Sequence, residues 1–206
     1  MTPDFQQEFQ ALSERARQQL REVPACGGYQ NMFSFWTFPS ASPASRCTVH
    51  SPLASAIGKK PFASFIIWRS DLDLEKLRSS GAPSNDPKDF APTMQGDVLW
   101  LAEREIEEIQ QRIRGVSVPL YVNQEPMPGA DGTTFEFRYD DPLFGASLRW
   151  WVDFPKEWRP FTDAIMHIVN QLEDRRKAKV PPIGATNGHT TQLTRSLTSP
   201  AAGPQA

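Results

Sequence analysis

Between Asp131 and Leu172 the chain switches from a period of two to a helical period, and this switch restricts its fold more than any other feature. Phe135, Phe137 and Tyr139 alternate with Glu136 and Arg138. That alternation puts three aromatic rings on one face of a strand and the charges on the other. Pro142 and Gly145 interrupt the pattern, and Leu148, Trp150 and Val152 resume it opposite Arg149, Trp151 and Asp153. With Asp131-Gly132 supplying turn geometry at its start, the segment predicts an antiparallel hairpin, strand Thr133–Tyr139 pairing with Leu148–Val152. Pro155 and Pro160 then suit the first turn of a helix, where a missing N–H costs no bond. Trp158, Phe161, Ile165, Ile168 and Leu172 recur three, four, three and four residues apart, forming one apolar stripe. Laid over the aromatic face of the hairpin, each such side chain contributes roughly 1.5–3 kcal/mol. Trp158 is expected to head that buried stripe.

The upstream chain supplies further elements for the same sheet. Pro3 and the spacing of Phe5, Phe9, Leu12, Ala16 and Leu20 predict a surface helix ending before Pro24, followed by a joint at Cys26-Gly27-Gly28. Asn31–Phe38, rich in aromatics, reads as a strand, and Arg46–His50 as a short one beyond a Ser/Pro/Ala loop. Phe62–Trp68 is apolar on both sides, which suits a strand near the middle of the sheet. Leu72–Arg78 predicts a short helix, and Ser84–Pro92 a mobile surface loop. Leu99, Ala102, Ile106, Ile109 and Ile113 predict a helix closed by Gly115, and Val116–Val122 an edge strand containing Pro119. Written out, the order is α-β-β-β-α twice, which invites a duplication, although the two halves do not align residue by residue.

The fold class expected is α+β: a mainly antiparallel sheet of about five or six strands with helices over one face. Residues 1–179 form a single domain on this reading. After Lys179, Pro, Gly, Thr, Ser and Ala dominate, so 180–206 is expected to be a disordered tail.

Asp131, Gly132, Phe135, Phe137, Arg149, Trp150, Pro155 and Trp158 together make a DG turn, an F/Y-x-F strand, an RW strand and a Pro/Trp helix start. In this the C-terminal unit resembles the ending of many small uncharacterised bacterial proteins. The resemblance covers about a fifth of the chain. It implies a packing motif and carries no activity, cofactor or functional residue with it.

Composition limits the function classes. A formal net charge of -2 and a pI near 5.9 argue against a dedicated nucleic-acid surface. No apolar run approaches the ~20 residues of a membrane span, and Met1–Phe5 lacks the basic start and apolar stretch of a signal peptide, so a cytoplasmic location is expected. In that compartment Cys26 and Cys47 are expected as free thiols.

Cys47-Thr48-Val49-His50 has the look of half a metal site, but residues three apart on a strand point to opposite faces. With only Cys26, His167 and His189 left to complete a tetrahedral set, no zinc is expected. No glycine pattern joins a strand to a helix as phosphate loops require, so no cofactor is expected either. The carboxylates Glu103, Glu105, Glu107 and Glu108 read as a solvated helix face, and His167 as a surface residue. Arg149 and Trp151 remain. They share the strand face opposite Trp150, where partial cover by a loop and an exposed aromatic–cation pair are both open readings.

Two function classes follow. The first is a non-catalytic protein-binding module, immunity-like or an adaptor, that uses the sheet face with Arg149 and Trp151 and the Ser84–Pro92 loop. The second is an enzyme whose site is assembled from distant residues such as Cys47 and His50 with a carboxylate. No catalytic residue is assigned, and the sequence predicts no oligomeric state.

Overall fold

Tyr29–Pro39 (β1) carries large apolar side chains on both of its faces, and such a strand is stable only where both faces are covered. It takes a central place in the computed structural model, which describes residues 3–40, 43–79, 91–118, 132–141, 144–152 and 156–179. Around it stand Ser45–Pro52 (β2), Phe62–Trp68 (β3), Met94–Trp100 (β4), Thr133–Asp141 (β5) and Phe144–Trp151 (β6). The fold is α+β, with a six-stranded antiparallel sheet in the order β4-β3-β2-β1-β5-β6 and the larger helical layer packed against one face. The helices are Pro3–Arg21 (α1), Ser70–Ser79 (α2), Glu103–Arg114 (α3) and Arg159–Lys179 (α4).

The face bearing Phe33, Phe35, Val49, Phe65, Phe137 and Trp150 packs beneath α4 and α3, whose Phe161, Ile165, Ile168, Leu172, Ile106 and Ile109 are buried there. Phe161 meets Phe137 edge-on at 5.3 Å and Trp150 at 5.9 Å. Trp158, expected to head this stripe, sits one turn earlier in a 3₁₀ segment, Lys156–Trp158, and is only half-buried against the core. Pro160 one residue into α4 explains the displacement, because the regular helix begins at Arg159. At the start of α3 the Ala102 N–H donates to Glu105 Oε2 at 2.7 Å, and Arg175 of α4 bonds the same carboxylate, so one side chain caps α3 and ties the two helices.

A second, smaller helical layer lies on the opposite face. Leu12, Ala16 and Leu20 of α1 pack with Trp36, Phe38, Trp68 and Leu77 over one end of β1–β3. The last carbonyls of α1 need donors, and the sheet supplies them. Trp36 Nε1 donates to Leu20 O at 2.7 Å, and Arg46 Nη1 donates to Leu20 O at 2.9 Å and Glu22 O at 2.7 Å. This is how a buried arginine is accommodated on β2: its charge meets the negative end of a helix dipole.

Several sequence expectations shift. Arg46–His50 belongs to an eight-residue strand at the sheet centre, while Phe62–Trp68 lies one strand from the edge. Leu99 belongs to β4, not to the helix predicted from 99 to 113, because α3 begins only at Glu103. Val116–Val118 is not a strand, and the rest of Val116–Val122 lies outside the described residues. Among the described residues the second half therefore reads β-α-β-β-α, and it does not repeat the α-β-β-β-α order of the first. Most of the Ser84–Pro92 loop and the whole 180–206 tail also lie outside the described residues.

Candidate functional site

Alternation along β6 decides which side chains leave the core. Trp150 pairs with Phe135 and turns under α4, so Arg149, opposite Glu136, and Trp151, opposite Thr134, turn to the α1 side. There α1 and the β5–β6 hairpin enclose a cleft of about 490 Å³, walled by Glu14, Arg17 and Arg21 from α1 and by Glu136, Ser147 and Arg149 from the hairpin.

Glu136 is the hub of this cleft. It takes a two-pronged bond from Arg21, Nε to Oε2 at 3.1 Å and Nη2 to Oε1 at 2.7 Å, and lies 3.3 Å from Arg149 Nε. The Arg21 guanidinium also covers the Phe38 ring at 4.8 Å, so it is held on two sides. Arg149 differs. Its side chain is 66% exposed, so most of its fork stays in water and can meet an incoming acceptor. Arg17 lies 3.5 Å from Glu14 on the other wall. Of the three arginines of the cleft Arg149 is the most exposed, while Arg17 is paired with Glu14 and Arg21 with Glu136.

Trp151 is half-buried, and the cover is the main chain at Gly132. A Cβ on Gly132 would stand 2.6 Å from the indole Nε1, Cε2 and Cζ2 atoms. The glycine is held in turn by the Ser40 N–H, which donates to Gly132 O at 3.0 Å. Loop cover and an exposed aromatic were both open on the sequence, and the indole is half-buried with Gly132 against it. Gly132→Ala is expected to displace the ring and red-shift tryptophan emission, with unfolding free energy falling by about 1 kcal/mol. Unchanged emission would mean that the indole does not rest there.

Cys47 and His50 are not brought together. Cys47 lies under α4 with Phe35 and Phe65, where burial pushes its thiol far above the usual range, so it stays protonated and inert. His50 lies on the other face, 2% exposed, stacked on Phe62 at 4.3 Å, with Nε2 2.9 Å from Ser64 Oγ. Its Nδ1 has no partner among the described residues. Burial, reinforced by the Arg46 charge, lowers its pKa to about 4.

An unfolded histidine binds its proton near pH 6.5, so the neutral imidazole's contribution is complete above that pH and is lost as pH falls toward 4. Allowing for partial solvent screening, wild type should lose about 2 kcal/mol more than His50→Asn between pH 7 and pH 4.5. Urea denaturation at the two pH values reads this directly. Equal losses in the two proteins would show that His50 is not held neutral.

Among the described residues no group of three His, Cys, Asp or Glu is placed to hold a metal ion. Cys26 and Cys47 are both unpaired, and His167 is exposed on α4, as its position on the helix predicts. The α3 carboxylates include the Glu105 cap and Glu108, which pairs with Arg104 at 2.9 Å, so they are structural and surface groups. No described helix is long and apolar enough to cross a membrane. Arg17 and Arg21 were not legible as site residues, since Arg21 and Glu136 stand 115 positions apart. No protein-family model, curated protein or solved structure matches the chain.

Proposed function

We propose that this chain is a non-catalytic protein-binding module, of the adaptor or immunity kind, that captures its partner through Arg149 and Trp151. The observation that carries the reading is their placement: a half-open indole and a projecting guanidinium, two residues apart on the same face of a sheet-edge strand, beside a preformed cleft. Trp and Arg are the residues most enriched among those that dominate binding energy. The exposed guanidinium of Arg149 suits an acidic side chain on the partner, where a two-pronged bond adds geometric selectivity. A partner of protein character also accords with the pI near 5.9. Two unpaired cysteines suit a reducing, cytoplasmic setting.

The alternative, an enzyme built on Cys47 and His50 with a carboxylate, has little support. The two side chains occupy opposite sheet faces, and the thiol is buried and protonated.

The double variant Arg149→Glu/Trp151→Ala tests the proposal. Each side chain is partly or largely exposed, so stability should change by no more than about 1–2 kcal/mol. A protein that co-purifies with wild type from the native host should be lost from the variant. Recovery of the same protein at the same yield would exclude this face as the binding surface.

A further inference from the structure

Residues 23–70 carry no Asp or Glu, although the chain holds 24 acidic residues. The stretch spans β1, β2 and β3, and its charges are Arg46, Lys59, Lys60 and Arg69. Arg46 is buried against the carbonyls of α1, and Arg69 is paired with Asp71. Lys59 and Lys60 stand exposed, side by side in the connection between β2 and β3. Positive charge therefore reaches the surface of this unit at one place, the loop of residues 53–61 with the sequence LASAIGKKP.

That loop is braced. The Leu53 N–H donates to Gly28 O at 2.9 Å, the Ala56 N–H to Leu53 O at 2.8 Å and the Lys59 N–H to Ala56 O at 3.2 Å. Lys59 Nζ donates to Gly27 O at 2.6 Å and stands 5.0 Å from the centre of the Tyr29 ring. Gly58 turns the tip with a φ of 78°, a left-handed conformation that glycine adopts without strain. The braced turn holds out Ile57, at 96% the most exposed large apolar side chain among the described residues. Leu53 at the loop's base is also exposed. From there Tyr29, Phe62 and Trp100 continue the apolar strip, with ring contacts of 5.0 Å and 5.5 Å, to the half-open indole of Trp100.

We propose that the β2–β3 loop docks the protein on an anionic lipid surface, with Ile57 entering the boundary between headgroups and acyl chains and Lys59 and Lys60 meeting the headgroup phosphates. An aliphatic tip followed directly by two cations, with no carboxylate in the loop, matches the layering of such a surface. Nucleic acid, the other extended anion, is held by a track of cations and by flat rings that stack on bases, and this tip carries two lysines and an isoleucine. A protein would have to supply a pocket shaped for a convex tip, whereas a bilayer receives one at any point. The contact is peripheral and weak. One myristoyl chain binds membranes with an association constant of about 10⁴ M⁻¹, and a single isoleucine buries far less apolar surface. The loop lies at the end of the sheet away from β6, so docking does not involve Arg149 or Trp151.

Co-sedimentation of the full chain with phosphatidylcholine vesicles containing about one-third phosphatidylserine tests the docking, with pure phosphatidylcholine as the neutral control. Wild type should bind the anionic vesicles at roughly millimolar lipid and lose most of that binding in about 0.5 M salt. Ile57→Asp should weaken binding at least about tenfold with an unchanged thermal midpoint, since the side chain touches nothing it could destabilise. Lys60→Glu should weaken it as well, and Ile57→Trp should strengthen it, because an indole suits the interface. Arg149→Glu/Trp151→Ala should bind vesicles as wild type does, which separates this loop from the partner face. A wild type that ignores anionic vesicles would overturn the proposal; if Ile57→Asp then lost a protein that wild type retains from the host, the loop would be a protein contact instead. Equal binding to the neutral vesicles, or binding that survives Ile57→Asp, would overturn it too.

Discussion

Phe137→Ala is expected to lower the unfolding free energy by about 3–5 kcal/mol. Phe137 is 2% exposed on β5, between β1 and β6, and it is where the sheet meets α4. Its ring stacks on Phe33 at 5.9 Å and receives the edge of Phe161 at 5.3 Å. Truncation leaves a cavity between a central strand pair and a helix that cannot close without shifting one of them. Chemical denaturation should show a lower midpoint with an unchanged slope, since the unfolded state exposes the same surface. Trp158→Ala, by contrast, removes a half-buried ring from the 3₁₀ turn and should cost clearly less. If Trp158 proved the costlier truncation, the core would lie nearer the helix start than the Phe161 contacts place it.

Asp73→Ala should cost about as much, for a different reason. Asp73 is the one fully buried carboxylate of α2, with 0% exposure, and it accepts from Trp68 Nε1 at 2.8 Å, from the Thr93 N–H at 2.9 Å and from the Thr93 hydroxyl. Lys76 Nζ stands 3.7 Å away and supplies the nearby positive charge. Removing the carboxylate leaves three donors of this buried corner without an acceptor, a loss of about 3–5 kcal/mol. Asp73→Asn keeps the volume and one acceptor oxygen and should cost less. Hydrogen exchange should show protection lost first in α2 and at Thr93. Uniform loss across the sheet would mean that Asp73 holds the whole fold rather than this corner.

The parts of the fold that were legible in the sequence are those encoded by local periodicity and composition. The β5–β6 hairpin and α4 follow from alternation and from three-and-four spacing, and the aromatic run Asn31–Phe38 marks β1 as a strand. β4 was not legible. Gln95-Gly96-Asp97 has no apolar face, and Leu99 fits the helical repeat of α3 as well as it fits a strand. β2 was legible only as a short strand, Arg46–His50, and its central place rests on the burial of Arg46 and His50. The partners that make Arg46 tolerable are carbonyls of α1, more than twenty residues away. The same holds for the candidate site. Strand alternation placed Arg149 and Trp151 together, whereas the arginines of α1 join them only through tertiary packing against Glu136.

The claim that this face captures a protein partner is tested most directly by photo-crosslinking in the native host, with a benzophenone amino acid at position 151. One discrete adduct is predicted, lost when Arg149→Glu is added and absent when the probe is moved to His167, which is exposed on α4. No adduct at 151, or the same adduct from 167, would contradict it.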